Sequence, residues 1–283
     1  MTTIAFFGAT GGCANVCLTY TLLNGYNARA LARTPSKLTA LLLSQPGDAT
    51  DVESIMKTLI IDSTPKNAPN GACTLVTSII SGLGGAPTMA FTKESKCAKT
   101  QMRMPALPHI QLSNPHITEQ TTSTLLEALA KIASDRFATF EAYRAVAPRV
   151  TVISTTGHLP GNKDVPFWFR PMYSVLLPIP HADKLQMEKL LDKEVGLGHA
   201  GVLAAGVVVV RPSFLTGDHL VPVVEGEKGG EGVVGLEKVR VGTEKAPAIG
   251  YTISRALVGE WIFKEIVKGG GEKWVGEKVT ITT

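Results

Sequence analysis

The stretch Thr3-Ile4-Ala5-Phe6-Phe7-Gly8-Ala9-Thr10-Gly11-Gly12-Cys13-Ala14 constrains this chain more than any other. It reads as a short apolar strand, a glycine turn, and a helix with apolar side chains at Val16, Cys17, Tyr20 and Leu23. The start of a helix offers unpaired N–H groups and the positive end of its dipole, which together favour an anion. Gly8 permits the tight turn, Gly11 and Gly12 let the backbone approach a phosphate, and the small Ala14 lets the helix pack closely on the strand. That order suits the pyrophosphate of a dinucleotide, with Thr10 and Cys13 as further contacts from the same turn. The spacing is G-x-x-G-x-x-A, not the strict G-x-G-x-x-G. The alternative is a strand-to-helix turn that holds no ligand, but three glycines exceed what a turn alone requires.

Beyond the turn, apolar strands alternate with amphipathic helices, the pattern of a doubly wound α/β fold of Rossmann type. Strands are expected at Ile4 to Phe7, Ala28 to Ala32, Leu41 to Gln45, Leu75 to Ile80, Val150 to Ser154, Val207 to Arg211 and, last, Val279 to Ile281. Helices are expected from Pro35 to Leu43, from an Asp51 N-cap to Leu59, from about Thr118, from His181 to Lys193, and after Ser254. Residues 60–74 read as an exposed loop, 86–115 as irregular, and 225–235 as a Gly/Glu/Lys loop. The 283 residues make one domain, with a small substrate-side lobe mainly from 157–180 and 213–250.

Composition narrows the partners. Apolar residues make up 44% and charged residues 18%, which places the chain among globular proteins. The net charge of +4 is spread along the chain with no basic, aromatic-interleaved block, so nucleic acid is not expected. The four cysteines (Cys13, Cys17, Cys73, Cys97) form no metal-ligand spacing and no disulfide framework, so no metal is expected. No signal peptide is visible, and the longest apolar run, Val202 to Val210, is too short to span a bilayer; a cytoplasmic protein without membrane contact is expected.

In a dinucleotide fold, an acidic residue near the end of the second strand takes the ribose hydroxyls of NAD. Arg33 stands there, with Lys37 one turn on. A guanidinium grips a 2′-phosphate through charge-assisted hydrogen bonds, so NADP(H) is the expected cofactor; the alternative is a pair of solvated charges. Asp48 reads either as an acceptor for the adenine amino group or as a turn residue after Pro46-Gly47. Ser81-Gly82 closes the fourth strand, where the missing side chain leaves room for a ribose, or is a plain loop.

Six blocks in order, Gly8 to Gly12, Ala32 to Leu38, Gly47 to Asp51, Val152 to Gly157, Val210 to Gly217 and Tyr251 to Ala256, resemble the atypical short-chain dehydrogenase/reductases, specifically the NmrA-like branch common in fungal metabolism. The resemblance covers nearly the whole chain. It implies a Rossmann sheet, NADP(H), and a pocket over the nicotinamide built from segments after strands five and six, with Pro212 and Ser213 among the cofactor contacts. It does not fix activity, because the branch holds reductases, isomerases and regulators that turn nothing over.

The superfamily's usual catalytic set is a Ser or Thr after strand five with Tyr and Lys spaced Y-x-x-x-K. Ser154-Thr155-Thr156 supplies the hydroxyls and Lys184 fits the lysine, but the tyrosine position holds Pro180. Three residues are candidate replacements. His181 reads as lying at a helix start, where the dipole and Lys184 would lower its pKa and poise it near neutrality. His158 follows strand five at the ligand-binding edge, and Tyr173 lies in the aromatic segment Phe167 to Tyr173. The apolar set with Phe214 suggests a hydrophobic small-molecule substrate, or a core cluster under a loop. The expected function is an NADPH-dependent oxidoreductase acting on a carbonyl or enone of secondary metabolism. The alternatives are a silent NADP(H)-sensing regulator and a non-redox isomerase or cyclase.

Overall fold

The structure, a computed structural model, describes residues 2–38, 44–62, 73–85, 87–91, 95–96, 103–104, 108–159, 163–218 and 235–283. The central sheet consists of β1 (Thr3–Phe7), β2 (Asn27–Ala32), β3 (Ser44–Pro46), β4 (Ser78–Ser81), β5 (Arg149–Ile153), β6 (Val207–Pro212), β7 (Arg240–Gly242) and β8 (Lys278–Thr282). Their spatial order is β7-β8-β6-β5-β4-β1-β2-β3. Every neighbouring pair is parallel except β7 against β8, an antiparallel edge. From β1 the chain moves outward to β2 and β3, then returns to β4 on the other side. The order therefore reverses between β1 and β4, and a crevice opens there at the carboxyl ends of the strands.

The helices are α1 (Gly12–Leu23), α2 (Val52–Leu59), α3 (Ile117–Arg136), α4 (Phe140–Arg144), α5 (Arg170–Leu176), α6 (Pro178–Gly196) and α7 (Arg255–Ile262). Strand side chains alternate between the faces, so each strand feeds two cores. Ile4, Phe6, Val208 and Val210 face α1 and α7, whereas Ala5, Phe7, Val207 and Val209 face α2, α3 and α6. On α3 the apolar stripe Leu125, Leu129 and Ile132 is buried as its spacing predicts.

Local signals placed several boundaries. Asp51 caps α2 by accepting from the Ser54 N–H at 2.9 Å, and Ser254 caps α7 through its Oγ, 3.1 Å from the Leu257 N–H. Elsewhere the structure corrects the expectations. The helix after Pro35 is, among the described residues, one 3-10 turn (Pro35–Lys37); the third strand runs Ser44–Pro46, and residues 39–43 lie outside the described set. Within 86–115, Pro87–Phe91 and Pro108–Leu112 form an antiparallel pair rather than an irregular segment. Both prolines take the first position of their strands, where a missing N–H is tolerated. Ile60–Asp62 pairs antiparallel with Thr74–Leu75. Helix α6 starts at Pro178, three residues before the expected His181, because proline suits a first helical turn. Residues 225–234 of the expected Gly/Glu/Lys loop, and Cys97, lie outside the described residues.

Candidate functional site

Gly8 has φ +76°, and a Cβ there would stand 2.9 Å from the Gly82 carbonyl and the Leu83 nitrogen. Gly82 in turn leaves no room for a side chain, since its Cβ would meet the Ala14 Cβ at 2.7 Å. The turn after β1, the loop after β4 and the first turn of α1 are thus in backbone-distance contact, joined also by the Gly82 N–H donating to Phe7 O at 2.9 Å. Asn15, which no sequence motif singles out, donates from Nδ2 to Ala9 O at 2.7 Å and fixes the turn from the helix side. The N-cap of α1 is Gly11; no side chain caps the helix and no acid sits in its first turn. Its leading N–H groups therefore have no side-chain acceptor. Gly12 has φ +66°, and a Cβ at that position would meet nothing within 4 Å, so the space above it is open.

Thr10 is exposed and Gly11, Gly12, Ser81 and Gly82 are half-buried around this turn. Cys13 is buried, and burial pushes its thiol up to about 12 against the nearby cations Arg255 and Lys184, so it is not a nucleophile. Arg33 and Lys37 are exposed beyond the end of β2, and neither joins an ion pair among the described residues. Asp48 accepts from the Thr50 N–H at 3.0 Å and from its hydroxyl at 2.9 Å, an Asx turn.

Across the crevice, α6 turns His181, Lys184 and Glu188 toward the ends of β5 and β6. Lys184 donates from Nζ to Ile153 O at 2.6 Å and Leu83 O at 3.1 Å, bridging the two strand ends that border the glycine turn. Burial pulls its pKa down to about 8, opposed by Asp183, Glu188 and Cys13. Asp183 points the other way and accepts from the Thr118 and Glu119 N–H groups, both at 3.0 Å, capping α3 from a neighbouring helix.

Glu188 is the hub that sequence reasoning missed. Its carboxylate accepts the Ser154 hydroxyl at 2.5 Å and Arg211 Nε at 3.1 Å, and pairs with the Arg211 Nη2 on its second oxygen. His158 Nε2 lies 3.2 Å from the same carboxylate, without the alignment of a hydrogen bond. Burial alone raises the Glu188 pKa, but His158 and Arg211 outweigh it and hold the carboxyl below its ordinary range. Arg211 has no exposed surface and reaches Glu244 at 3.1 Å with its remaining arm. An arginine inside the apolar run Val207 to Pro212 was the available signal, because a buried guanidinium demands a carboxylate.

The other candidates fall around this hub. Ser154 has its proton committed to Glu188, and the Ser213 hydroxyl donates to Thr282 at 2.9 Å, tying β6 to β8. The Pro212 carbonyl accepts from the Thr156 N–H at 3.1 Å, while half-buried Thr155 donates to Thr156 O at 3.2 Å. His181 occupies the first turn of α6, and its pKa falls to about 4 through burial first and His158 second. The expected cause, a dipole and Lys184 poising it near neutrality, is thereby replaced: the imidazole is neutral at pH 7. Tyr173 is buried with its ring against Gly157, and burial raises its phenol despite contacts with Thr156 and the Phe214 backbone. The rings of His158 and Tyr173 lie 6.4 and 5.5 Å from that of His181. At the rim, Phe169 meets Tyr251 edge-on at 4.8 Å, while Phe167, Trp168 and Phe214 are exposed. Among the described residues no helix is long and apolar enough to cross a membrane, and no cluster of side chains could hold a metal ion.

A doubly wound parallel sheet with a glycine turn at its switch point and a lysine across the crevice defines a Rossmann-type architecture. No protein-family model matches the chain. It is 43% identical over 308 residues to "Oxidase pynE" of Aspergillus niger, covering 99% of this chain and 98% of that protein. It is 36% identical over 296 residues to "Reductase pytE" of Aspergillus terreus, covering 99% and 97%. Among solved structures, a short-chain dehydrogenase/reductase from Veillonella parvula in complex with NADP superposes with a TM-score of 0.58 at 13% identity, over 100% of this chain and 94% of that one. ChuY, an "Anaerobillin Reductase" from Escherichia coli O157:H7, gives 0.52 at 14%, over 99% and 96%. The chain belongs to the same family as the two Aspergillus proteins, and it shares its fold with solved short-chain dehydrogenase/reductases.

Proposed function

We propose that this protein is an NADP(H)-dependent oxidoreductase of the atypical, NmrA-like branch, acting on a hydrophobic carbonyl or enone metabolite of fungal secondary metabolism. The observation that carries the reading is the uncapped start of α1 with open space above Gly12, beside Gly8 and Gly82, where no side chain fits. Two relatives named oxidase and reductase support redox chemistry, and a fold neighbour in complex with NADP supports the nucleotide.

The residues present fit that cofactor. The open backbone at Gly12, beside the Gly11 N-cap, would receive the pyrophosphate, and Arg33 with Lys37 the 2′-phosphate. When bound, the nicotinamide supplies or accepts the hydride. Lys184 would anchor the nicotinamide ribose, and its ammonium, eased toward neutrality by burial, can give a proton in the place left by Pro180. Thr155 is the strand-five hydroxyl not tied to Glu188 and is the better candidate to orient a substrate oxygen. The rim aromatics Phe167, Trp168, Phe214 and Tyr251 would cover an apolar substrate drawn from solution as a small molecule.

A second reading, a sensor that binds NADP(H) without turnover, is favoured by the burial of His158, His181 and Tyr173. Titration of the purified protein with NADP+, NADPH and NAD+ tests both. NADP+ and NADPH should bind, and Arg33→Ala should weaken NADP+ about tenfold or more while leaving NAD+ unchanged, the scale of a lost charge-assisted contact. No uptake of either oxidation state, or an unaffected Arg33→Ala, ends the cofactor assignment; binding with no turnover of enone or carbonyl panels selects the sensor.

A further inference from the structure

Helix α7 lies along α1 in the same direction. The chain at Gly259 approaches so closely that a Cβ there would contact Val16 and stand 2.6 Å from Cys13 O. One turn later, Phe263 stacks on Tyr20 with ring centroids 5.8 Å apart. Both contacts keep a single register, so one turn back the start of α7 comes level with the start of α1. Two helix starts therefore meet at the glycine turn, and neither has an acidic residue in its first turn.

Arg255 is the first residue of α7, where a cation is opposed by the helix dipole, at a cost of about 0.3–1 kcal/mol. Nothing local relieves it. No carboxylate pairs with Arg255 among the described residues; the residue is half-buried, and Nη1 donates to the carbonyl of Gly217 at 2.7 Å. Its charge is felt at the turn, where Arg255 is the strongest cationic influence on the Cys13 thiol. A sequence that breaks a local rule without local compensation marks a place where something else balances the charge, here an anion.

We propose that Arg255 is a second phosphate-binding residue of this protein, holding the pyrophosphate common to NADP(H) and NAD(H), while Arg33 reads only the 2′-phosphate. The assignment rests on the cofactor reading above. It divides the nucleotide between two cations with different consequences: one sets affinity for any dinucleotide, the other sets the choice between them.

The test is a matrix of dissociation constants, measured calorimetrically for NADP+ and NAD+ on the whole chain and on Arg33→Ala, Arg255→Ala and Arg255→Gln. Arg255→Ala should weaken both nucleotides by the same factor, about tenfold, whereas Arg33→Ala weakens NADP+ alone. Arg255→Gln retains a donor for the Gly217 carbonyl without the charge, so it should lose as much affinity as alanine. Unchanged binding by Arg255→Ala overturns the proposal, as does Gln binding like the wild type while Ala does not, which would make Arg255 a strut for Gly217. A wild-type protein that binds neither nucleotide overturns the cofactor reading itself, and this proposal with it.

Discussion

Lys184 joins the two halves of the crevice, because one ammonium serves the ends of both β4 and β5. Burial disfavours its charged form, and the carboxylates of Asp183 and Glu188 recover only part of that loss, which leaves the pKa at about 8. A step that needs the ammonium should therefore slow as pH rises through 8, well before an ordinary lysine would titrate. The sign for stability is opposite: between 8 and the ordinary lysine value near 10.5 the folded chain has released a proton that the unfolded chain retains, so folding gains as pH rises. Lys184→Met should lower turnover by about 10²-fold or more and abolish the alkaline limb, read from pH–rate profiles of the two proteins.

At the scale of elements, helix ends are capped by side chains from neighbouring elements. Arg29 on β2 reaches the last carbonyls of α2, donating to Lys57 O and Thr58 O at 3.3 Å each and to Ile60 O. Asp183 on α6 does the same for the start of α3, whose own N-cap residue, His116, makes no side-chain cap. Asp183→Ala leaves the buried Thr118 N–H and the half-buried Glu119 N–H without their acceptor and should cost about 1–2 kcal/mol, a fall of a few degrees in thermal midpoint. Such caps explain what could be read from the chain and what could not. Asp51 and Ser254 were legible because each caps the residues that follow it. Asp183 was not, because its partners lie 64 and 65 positions away. The pairing of Pro87–Phe91 with Pro108–Leu112 was hidden for a related reason: prolines usually break strands, and only the partner shows that these stand at harmless ends. Glycine spacing, by contrast, exposed the turn at Gly8 directly, since the need for a positive φ and a close approach is written in one residue type.

The molecule as a whole encloses charge between its sheet and α6, and acid should find that enclosure first. His181 is held neutral down to about pH 4, whereas an imidazole in the unfolded chain takes up its proton near 6.5. The unfolded state thus binds more protons across this window, and stability falls as pH drops from 6.5 to 4, by about 3 kcal/mol from this one group. Glu188 adds to the loss lower down: its depressed pKa contributes stability in full above the ordinary carboxylate range, and that contribution fades as pH falls below it. Denaturant midpoints measured from pH 7 to pH 4 should fall for the natural chain and fall less for His181→Phe, in which no imidazole remains to be charged on unfolding. A parallel decline in both proteins would place the acid lability elsewhere.

The mutual contact of Gly8, Gly82 and Ala14 has one more effect. Two stretches distant along the polypeptide are clamped into a single seat. A dinucleotide bound as proposed would find its phosphate berth already assembled and would sacrifice little backbone freedom on docking.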